Sequence, residues 1–502
     1  MSAAATSGIH VLEGAAAGAA IAVRRETVTA FVGPTPRGPA DMPVAIRSLR
    51  EFHRRFGCPD TPSRMQDCLA DYFAAGGDLA IVVRVSDPSR RARLELPGPG
   101  GGCRLLARCP GSRELLRAAV DHDGLTDGRR FNLVVQRLAS AGAPLVAEQE
   151  SFRGLSIDPL AENYVGDALL GSRLVSLAEA PAERPAATPL TAAGVPRWVP
   201  ARRPAANPAP GDYELIGSAA DGTGLHALEQ LPRLDLLCLL PAASGGAIGP
   251  VAMFAAERYC RRRQALLLVD PPPDWDSVHA VATDTALRGI DSPNVASYFP
   301  RPAAGSLLGA IAGALAAADR ESGPWHWPPG GGLWLPGAMP LAPRLDSRDV
   351  RILARFGVNA LRRDPRGRLR VEGLVTRGPR LGLPPESVRL PARRTALFAL
   401  GGIARGSRWS LFRPPDDYSR AELRRQLHSF LGRLHRAGGL QGRRAGEAWY
   451  LNGPDPVAGG WEMELGLALL QPRAFQAWRL RLRGADCELR ELGWQPSLAM
   501  AG

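Results

Sequence analysis

The hydrophobic pattern in the first part of the chain predicts a strand, a helix and a second strand. The first strand covers residues 30–32 and runs into a break at Gly33-Pro34, and a second break follows at Arg37-Gly38-Pro39. The second strand, residues 80–85, is entered through Gly76-Gly77. Glycine and proline are the strongest local signals of a turn. No catalytic residue type is concentrated here, so the informative property of this stretch is the order of its elements.

The pattern changes after residue 87, where short alternating apolar runs are separated by glycine and proline. Such runs at 94–96, 103–107, 131–135 and 150–156 predict a small β-rich insert. Proline and alanine dominate from residue 178 to residue 212, which is typical of an extended linker or surface loop.

A third pattern, in which strands and helices alternate, begins near residue 234. Continuous apolar runs predict buried strands, and amphipathic runs predict helices. A succession of strand, helix, strand and helix implies a parallel sheet covered by helices. The predicted strands are 236–240, 265–269 and an edge-like 295–299, and the predicted helices are 251–263, 276–288 and 306–318.

The C-terminal region combines long helices with further strands. A helix over 392–405 is followed by a longer one over 420–437, which Ser419 is placed to cap. A final segment, 484–502, extends beyond the predicted strands, which are 448–451, 461–470 and 475–482.

Length and composition are those of a soluble, multidomain globular protein. At 502 residues the chain is expected to form about two to four domains, because single hydrophobic cores stop growing well below that size. No apolar run reaches the roughly 18 residues that a membrane helix needs, so no direct membrane insertion is expected. The first residues lack the basic segment of a secretory signal. We therefore expect folding in the cytoplasm of the producing cell, with the seven scattered cysteines reduced.

The net charge of +13 has the sign expected of a nucleic-acid-binding protein, but its distribution favours another interpretation. The sequence contains no lysine, so every basic residue other than histidine is an arginine. The arginines are spread through periodic segments, for example at 262–263, 351 and 424–425, rather than gathered in one patch. We expect solvated faces and contacts between subunits, and no nucleic-acid partner.

Residues that could carry chemistry are isolated from one another in the sequence. Asp270 follows a predicted parallel strand, where α/β enzymes place acids, but three prolines come directly after it and predict a rigid turn. No G-x-S-x-G motif occurs, and His226 and His279 lack recognisable partners. The glycine runs 100–102 and 330–332 are not followed by the Lys-Ser or Lys-Thr of a phosphate loop. We therefore expect no catalytic, cofactor-binding or metal site.

The stretch from residue 29 to residue 85 resembles the opening of contractile tail sheath proteins, which polymerise around the inner tube of contractile phage tails and related bacterial injection machines. The matching positions combine turn glycines, prolines and apolar strand residues, so the match is far more specific than a lone glycine motif. They are Ala30, Phe31, Val32, Gly33, Arg37, Gly38, Pro39, Pro43, Phe52, Phe56, Gly57, Phe73, Gly76, Gly77, Val82, Val83, Arg84 and Val85.

Two later stretches resemble the same family. Residues 150–177 are similar to the segment that closes the family's β-rich insert. The loop between the first two C-terminal strands is shorter than in the family, and 484–502 extends past the usual final strand, which leaves the geometry of the terminal arm open. The C-terminal matches are Arg393, Arg394, Trp409, Phe412, Pro414, Leu431, Gly438, Gly442, Glu464, Gly466, Pro472, Ala474 and Phe475.

The resemblance implies an α/β and α+β multidomain fold with a discontinuous core. The expected parts are an N-terminal arm (1–25), the first part of the core (26–87), a small β-rich inserted domain (88–180), a linker or loop (181–215), a subtilisin-like α/β layer (216–380), a C-terminal α+β sheath domain (381–483) and a C-terminal arm or extension (484–502). It implies structural roles for Phe31, Gly33, Gly38, Pro39, Gly76, Gly77, Arg84, Trp409, Phe412, Pro472 and Phe475. The expected inter-subunit strand of the N-terminal arm is Ile9, His10, Val11 and Leu12.

The function that the resemblance implies is that of a structural subunit without enzymatic activity. Copies would form a helical polymer around an inner tube protein, with baseplate and terminal cap proteins as further partners, and the sheath would contract to drive the tube through a target envelope. After assembly in the cytoplasm the subunit would belong to a phage tail or tail-like particle. The alternatives are another structural or baseplate component of the same machine, or an α/β hydrolase-like enzyme.

Overall fold

The N-terminal elements form the first part of a large sheet. The computed structural model describes residues 20–57, 63–87, 89–140, 143–205, 210–241, 246–284, 290–302, 306–326, 332–337, 340–381, 383, 388–483 and 486–496. Its first elements confirm the strand, helix and strand order predicted above. They are β1 (Thr29–Gly33), β2 (Val44–Ile46), α1 (Leu49–Phe56), α2 (Arg64–Ala74) and β3 (Ala80–Arg84).

A pair of antiparallel sheets follows. Its elements are β4 (Arg91–Leu96), β5 (Cys103–Pro110), β6 (Leu116–Asp121), β7 (Arg130–Ser140), β8 (Ala143–Ser156), α3 (Val165–Ala168), β9 (Val175–Glu179) and β10 (Val199–Pro200). One sheet has the order β10-β6-β7-β8, and the other has the order β4-β5-β9. Apolar side chains alternate with polar ones along the strands, and those that face inward share one core that includes Leu94, Leu105, Phe131, Leu133 and Val175.

Much of the stretch that the sequence predicts to be a linker packs against these sheets. The Thr188 N–H donates to the Val120 carbonyl, and the Thr188 hydroxyl accepts from the Val120 N–H, both at 2.8 Å. The strand β10 pairs with β6, and Arg93 and Arg202 exchange backbone hydrogen bonds. Backbone atoms make most of these contacts, so the side-chain pattern of a proline-rich stretch does not indicate them.

The third group of elements alternates strands with helices. It consists of α4 (Asp212–Ile216), β11 (Leu236–Leu239), α5 (Pro250–Arg263), β12 (Leu266–Val269), α6 (Val278–Thr283), β13 (Val295–Phe299), α7 (Leu308–Ser322), β14 (Gly332–Leu335), α8 (Ser347–Arg355), β15 (Val358–Arg363) and β16 (Leu369–Glu372). The predicted strands β11, β12 and β13 and the predicted helices α5 and α7 are confirmed with small shifts at their ends. The helix predicted over 276–288 is shorter among the described residues, where α6 ends at Thr283.

These strands and the N-terminal ones form a single nine-stranded sheet with the order β14-β16-β15-β13-β12-β11-β1-β3-β2. The six strands from β15 to β3 are parallel, whereas β2, β14 and β16 pair antiparallel to their neighbours. In β1, Phe31 lies between Val82 of β3 and Cys238 of β11. The core is therefore assembled from two stretches of chain between which the antiparallel pair of sheets is inserted.

Both faces of the nine-stranded sheet are covered, which explains why its strands are apolar at nearly every position. Phe31 belongs to the face that packs against α2 and α7, and Val32 belongs to the opposite face, which packs against α5 and α8. The helices α2 and α7 approach closely, because a methyl group at Gly309 would lie 1.8 Å from the Cys68 carbonyl oxygen. Interiors packed to this degree transmit displacement rather than absorb it, so we treat the sheet and its helices as one body.

The C-terminal region forms a second, smaller sheet with helices on it. Its elements are α9 (Leu390–Gly406), α10 (Asp417–Arg436), α11 (Ala445–Ala448), β17 (Trp449–Val457), β18 (Gly460–Ala468), β19 (Ala474–Arg483) and β20 (Asp486–Pro496). The sheet has the order β17-β18-β19-β20, and all its pairs are antiparallel. The apolar face of α10 packs against α9 and against the sheet through fully buried side chains, namely Leu423, Leu427, Phe430, Leu431 and Leu434.

Two details of the predicted elements are wrong. The strand β13 is not at an edge, because it pairs with β12 on one side and with β15 on the other, and its polar Ser297 is buried. The helix α10 is capped by Asp416 rather than by Ser419. The Asp416 carboxylate accepts a hydrogen bond of 2.7 Å from the Ser419 N–H, three residues into the helix.

Candidate subunit-contact surfaces

Several residues of the N-terminal motif lie inside the large body. A methyl group at Gly33 would lie 2.7 Å from the Leu240 carbonyl oxygen, and one at Gly77 would lie 2.3 Å from the Tyr72 ring. The Phe31 ring meets the Tyr72 ring edge-on, with 5.3 Å between the centroids. These residues fix the distance between strands and helices rather than forming an outer surface.

Arg84 fixes the turn that contains Gly38. Its Nη1 donates to the Gly38 carbonyl at 2.8 Å, its Nη2 donates to the Pro110 carbonyl at 2.7 Å, and its Nε donates to the Thr35 carbonyl at 3.2 Å. Gly38 has a φ of +105°, a region that favours glycine. Burial lowers the pKa of Arg84. Since Pro110 ends β5, this side chain joins the large body to the antiparallel pair of sheets.

Other residues of the same motif lie in connecting segments. Pro39 follows Gly38 directly and is half-buried. Gly76, with a φ of +94°, lies in the turn that leaves α2, where the Arg320 guanidinium donates to its carbonyl at 3.2 Å.

The C-terminal motif residues divide into two that are buried or half-buried and two that are exposed. Trp409 is half-buried and donates from Nε1 to Gln426 Oε1 at 2.8 Å. Phe475 is buried and meets the Tyr450 ring edge-on at 5.2 Å. Pro472 is exposed in the turn between β18 and β19. Phe412 is also exposed, at 87%.

Phe412 begins an exposed acidic turn, which we define as residues 412–418. Pro414, Pro415, Asp416, Asp417 and Tyr418 are all exposed, and Tyr418 is 68% exposed. Two aromatic rings in water on either side of two carboxylates are typical of a surface that another molecule covers.

The described chain begins with an extended segment, residues 20–28, that is held against the body. Ile21 is buried beside Phe430 and Gly406, and the Arg433 guanidinium donates to the Ile21 carbonyl at 2.8 Å. Thr27 donates its hydroxyl hydrogen to the buried Asp319 carboxylate. The predicted N-terminal arm therefore has a fixed root from residue 20 onward. The predicted arm strand, Ile9, His10, Val11 and Leu12, lies outside the described residues.

The two edges of the C-terminal sheet differ. The edge strand β17 contains Pro454 and Pro456, which have no N–H to offer to a further strand. The other edge strand, β20, has its single proline at its last residue, Pro496. No described strand pairs with the outer side of β20. The segment predicted as a C-terminal arm is thus, over 486–496, a strand of its own sheet whose outer edge stays open.

The residue that most resembles a catalytic acid is in a buried structural setting. Asp270 Oδ2 lies 3.5 Å from Arg64 Nη2. Burial raises the pKa of Asp270. A cavity of about 340 Å³ beside it is lined mostly by apolar side chains of β11, β12 and α5. These contacts bring no histidine to Asp270, and the described residues hold no group of three or more His, Cys, Asp or Glu side chains placed to bind a metal.

Many arginines are paired within the chain. The Arg377 guanidinium donates to Asp291 Oδ1 at 2.6 Å, and Arg394 Nη1 donates to Asp319 Oδ1 at 2.8 Å, with all four side chains at least nine-tenths buried. The charges of these arginines are therefore neutralised by carboxylates inside the fold. Within the part of the chain that the structure describes, no helix is both long and apolar enough to cross a membrane.

Sequence comparison gives no relative, because no family model matches and no curated protein is similar. Structure comparison does. The fold is similar to that of a sheath tail protein from Listeria innocua, with a TM-score of 0.60 at 12% identity over 94% of this chain and 96% of that one. It is also similar to the contracted helical sheath of the anti-feeding prophage, with a TM-score of 0.53 at 15% identity over 94% and 97%.

A third similar structure is the contracted sheath complex of an extracellular contractile injection system, PVC. Its TM-score is 0.53 at 12% identity, and the alignment covers 94% of this chain and 96% of that chain. At such identities the likeness is one of fold. Over nearly its whole length, this chain has the fold of contractile tail sheath proteins.

Proposed function

We propose that this chain is a structural subunit of a contractile tail sheath, which polymerises helically around an inner tube and contracts to drive the tube through a target envelope. The observation that carries the proposal is the extent of the fold match, which includes 94% of this chain and 96% of the Listeria innocua sheath tail protein. A match confined to the α/β body would also suit an enzyme, because α/β bodies host many functions. A match that includes the inserted sheets and the C-terminal sheet favours a sheath subunit.

The chemistry of the body supports the same proposal. The carboxylate of Asp270, the strand-end acid, faces the Arg64 guanidinium at 3.5 Å rather than a base. A hydrolase needs a nucleophile, a base and an orienting group within hydrogen-bond reach of one another. The contacts of Asp270 supply no such set, so we assign it to the packing of the turn.

Two parts of the chain suit the joining of copies. The extended segment 20–28 is anchored at Ile21 and Thr27. The outer edge of β20 offers backbone N–H and C=O groups along its length. We propose that residues 9–12 of one copy pair with β20 of another, since strand addition uses main-chain groups of this kind.

Such a contact joins two different surfaces of the same molecule. A heterologous contact that repeats produces an open helix when its rotation does not close a ring. Main-chain pairing through a tether survives rotation of the bodies that it links. The bodies can then move from an extended lattice, trapped behind a kinetic barrier, to a contracted one in which more complementary surface is buried.

The partners that this role requires are copies of the chain, an inner tube protein, and baseplate and terminal cap proteins. Exposed arginines would orient contacts with acidic groups on neighbouring subunits. The producing cell's cytoplasm is the proposed site of assembly, after which the subunit belongs to a phage tail or an injection particle.

The test is negative-stain electron microscopy of the chain expressed with the tube protein from the same gene neighbourhood. We expect hollow, striated cylinders. A monomer that stays monomeric at high concentration and turns over an ester or peptide substrate would contradict the proposal. Particles in which the chain occurs only at one end of a tube would instead favour the baseplate role.

A further inference from the structure

A polar groove of about 570 Å³ lies between the large body and the C-terminal sheet. Its walls come from the segment before β11, from the C-terminal ends of α5 and α9, and from the β19–β20 hairpin. Five arginines and two glutamates line it, namely Arg233, Arg262, Arg263, Arg405, Arg408, Glu229 and Glu488. The groove therefore carries an excess of positive charge.

The arginines of the groove fall into two classes. Arg262 and Arg263 both contact Glu229, and Arg233 Nε donates to Asp235 Oδ1 at 2.9 Å. The side chains of Arg405 and Arg408 have no hydrogen bond or ion pair with any described residue. Arg405 is half-buried and folds back over the glycine at 401, since a methyl group there would lie 3.0 Å from Arg405 Nη1.

An unpaired guanidinium in such a setting is unfavourable. Burial lowers the pKa of Arg405 to about 10; the charge of Arg233 adds to that effect, and the charge of Asp235 partly offsets it. A positive charge withdrawn from water, with more cations than anions near it, is stabilised by an anion that enters the groove. The walls also include apolar side chains, among them Leu231, Leu411 and Leu482, so they suit an anion carried on a partly apolar segment rather than a free inorganic ion.

The exposed acidic turn has this composition. Asp417 is exposed and has no partner among the described residues, and it lies between Phe412 and Tyr418, the two exposed aromatic residues. Asp416 beside it caps α10 and also faces solvent. The turn begins one residue after Leu411, whose side chain lines the groove, so the groove and the turn occupy adjacent surfaces of each copy.

We propose that the groove of one copy binds the exposed acidic turn of a second copy, with Asp417 paired to Arg405 and Arg408 and the flanking aromatic rings against the apolar wall. This inference rests on the proposed function, because it assigns a specific contact to the polymer. The contact joins two different surfaces, so it repeats from copy to copy. It also bridges the large body of one subunit and the C-terminal sheet of the same subunit, so its occupant fixes how these two parts are held in the polymer.

The first test is a charge exchange in the full-length chain expressed with the tube protein. Arg408→Glu and Asp417→Arg are each expected to raise the concentration needed for cylinder formation by about tenfold, because each places like charges together. The double variant, with both substitutions, is expected to return to within about threefold of the wild type. Arg153→Glu, at an exposed arginine of β8, is the matched control and should have no such effect.

Arg408→Glu changes an exposed, unpaired side chain, so the unfolding midpoint of the monomer should not move. Asp417→Arg places a cation in the first turn of α10 and should lower the midpoint only slightly. The proposal is overturned if the single variants assemble as the Arg153→Glu control does, or if the double variant is no better than either single one. If the wild type forms no cylinders at all, that result contradicts the proposed function and leaves the groove contact to a separate test. The groove contact is then tested by sedimentation of the same variants, where equal self-association of all of them would overturn it.

A second test uses the native Cys487, which lines the groove. We expect assembly to slow its alkylation by a maleimide at least about tenfold, as read by mass spectrometry of the peptide, because the turn of the neighbour covers it. An unchanged rate in assembled wild-type cylinders would overturn the proposal. The Asp417→Arg variant at the same monomer concentration should be alkylated at the rate of the free subunit.

Discussion

The nine-stranded sheet and the C-terminal four-stranded sheet differ in the length of their edge strands. The large sheet ends in the three-residue strand β2 on one side and in the four-residue strand β14 on the other. In β14, the Arg368 and Arg370 guanidinium groups, at the neighbouring strand β16, lie 4.2 Å and 5.5 Å from the Trp334 ring centroid, so they cover one face of this strand. The small sheet ends in β20, an eleven-residue strand whose outer edge pairs with no described strand.

Short and covered edges prevent strand addition, whereas long and open edges permit it. The large sheet is also covered on both faces, so it has no face left for a partner, and its two edge strands are short. The comparison teaches that two structural roles can be divided between two sheets. The large sheet forms a rigid body, and the small sheet has an edge strand with which another chain can pair. Each prediction below tests one side of that separation.

The largest effect is expected from deletion of residues 1–19. If the small sheet links copies through the N-terminal arm of a neighbour, cylinders should be lost completely while the monomer keeps its unfolding midpoint. Deletion of residues 1–25 is the comparison, because it also removes Ile21, whose burial contributes about 1.5–3 kcal/mol. Normal cylinders from the shorter deletion would refute the role of the arm.

The second effect concerns the rigidity of the large body. Asp319→Ala leaves Arg394 and Thr27 without their shared buried partner, and it should lower the free energy of unfolding by about 3–5 kcal/mol. Urea unfolding of the monomer measures it. Glu179→Gln is the matched control, since its ion pair with Arg104 is exposed on both sides and should be worth less than about 1 kcal/mol. Similar losses in both variants would mean that the body does not depend on this buried pair.

A smaller effect is expected at the end of β1. Gly33→Ala adds a methyl group 2.7 Å from the Leu240 carbonyl oxygen, and it should cost about 1–3 kcal/mol through a forced shift between β1 and β11. Gly128→Ala is the control, because nothing lies within 4 Å of the added methyl group. If the two alanine variants have the same unfolding midpoint, the close approach at Gly33 is not a determinant of the body.

The smallest effect is a dependence on pH. Burial, and after it the charge of Asp67, raise the pKa of Asp71 to about 6. A carboxyl group whose pKa is raised in the folded state favours folding when protonated, and this contribution is lost as the pH rises through about 6. Asp71→Asn should therefore raise the stability at pH 7 by about 1 kcal/mol, after a reduction for partial exposure, and have little effect at about pH 3.5, below the ordinary pKa of an aspartate.

Chemical unfolding at the two pH values provides the measurement, with the exposed Glu26→Gln as the control. An Asp71→Asn variant that is stabilised equally at both pH values would assign the gain to packing rather than to ionisation.

The sequence predicts the parallel part of the fold well, because continuous aliphatic runs such as Leu236–Leu239 and Leu266–Val269 have few alternatives once they lie between helices. The sequence predicts strands with few apolar side chains less well. The strand β15 was not predicted, since its second half carries Arg362 and Arg363. The strand β10 was hidden in a proline-rich stretch, where backbone hydrogen bonds rather than side chains make the contacts.

The contact surfaces divide in the same manner. The motif residues Gly33 and Arg84 can be recognised in the sequence because their positions require their residue types. A larger side chain at Gly33 would meet the Leu240 carbonyl, and the Arg84 guanidinium donates to the Gly38 carbonyl. Whether β20 is an edge strand depends on how the other strands of its sheet are arranged. A local sequence pattern does not contain that information. The groove likewise depends on Arg405 and Arg408 meeting a hairpin far along the chain, and the even spread of arginines in the sequence gives no sign of it.

Helical reconstruction by cryo-electron microscopy, applied to cylinders from co-expression with the tube protein, tests the central claim most directly. The account predicts a sheath of repeated copies in which residues 9–12 of one copy form a strand against the outer edge of β20 of another. A helical sheath in which that edge stays unpaired, or the absence of any helical polymer of this chain, would contradict it.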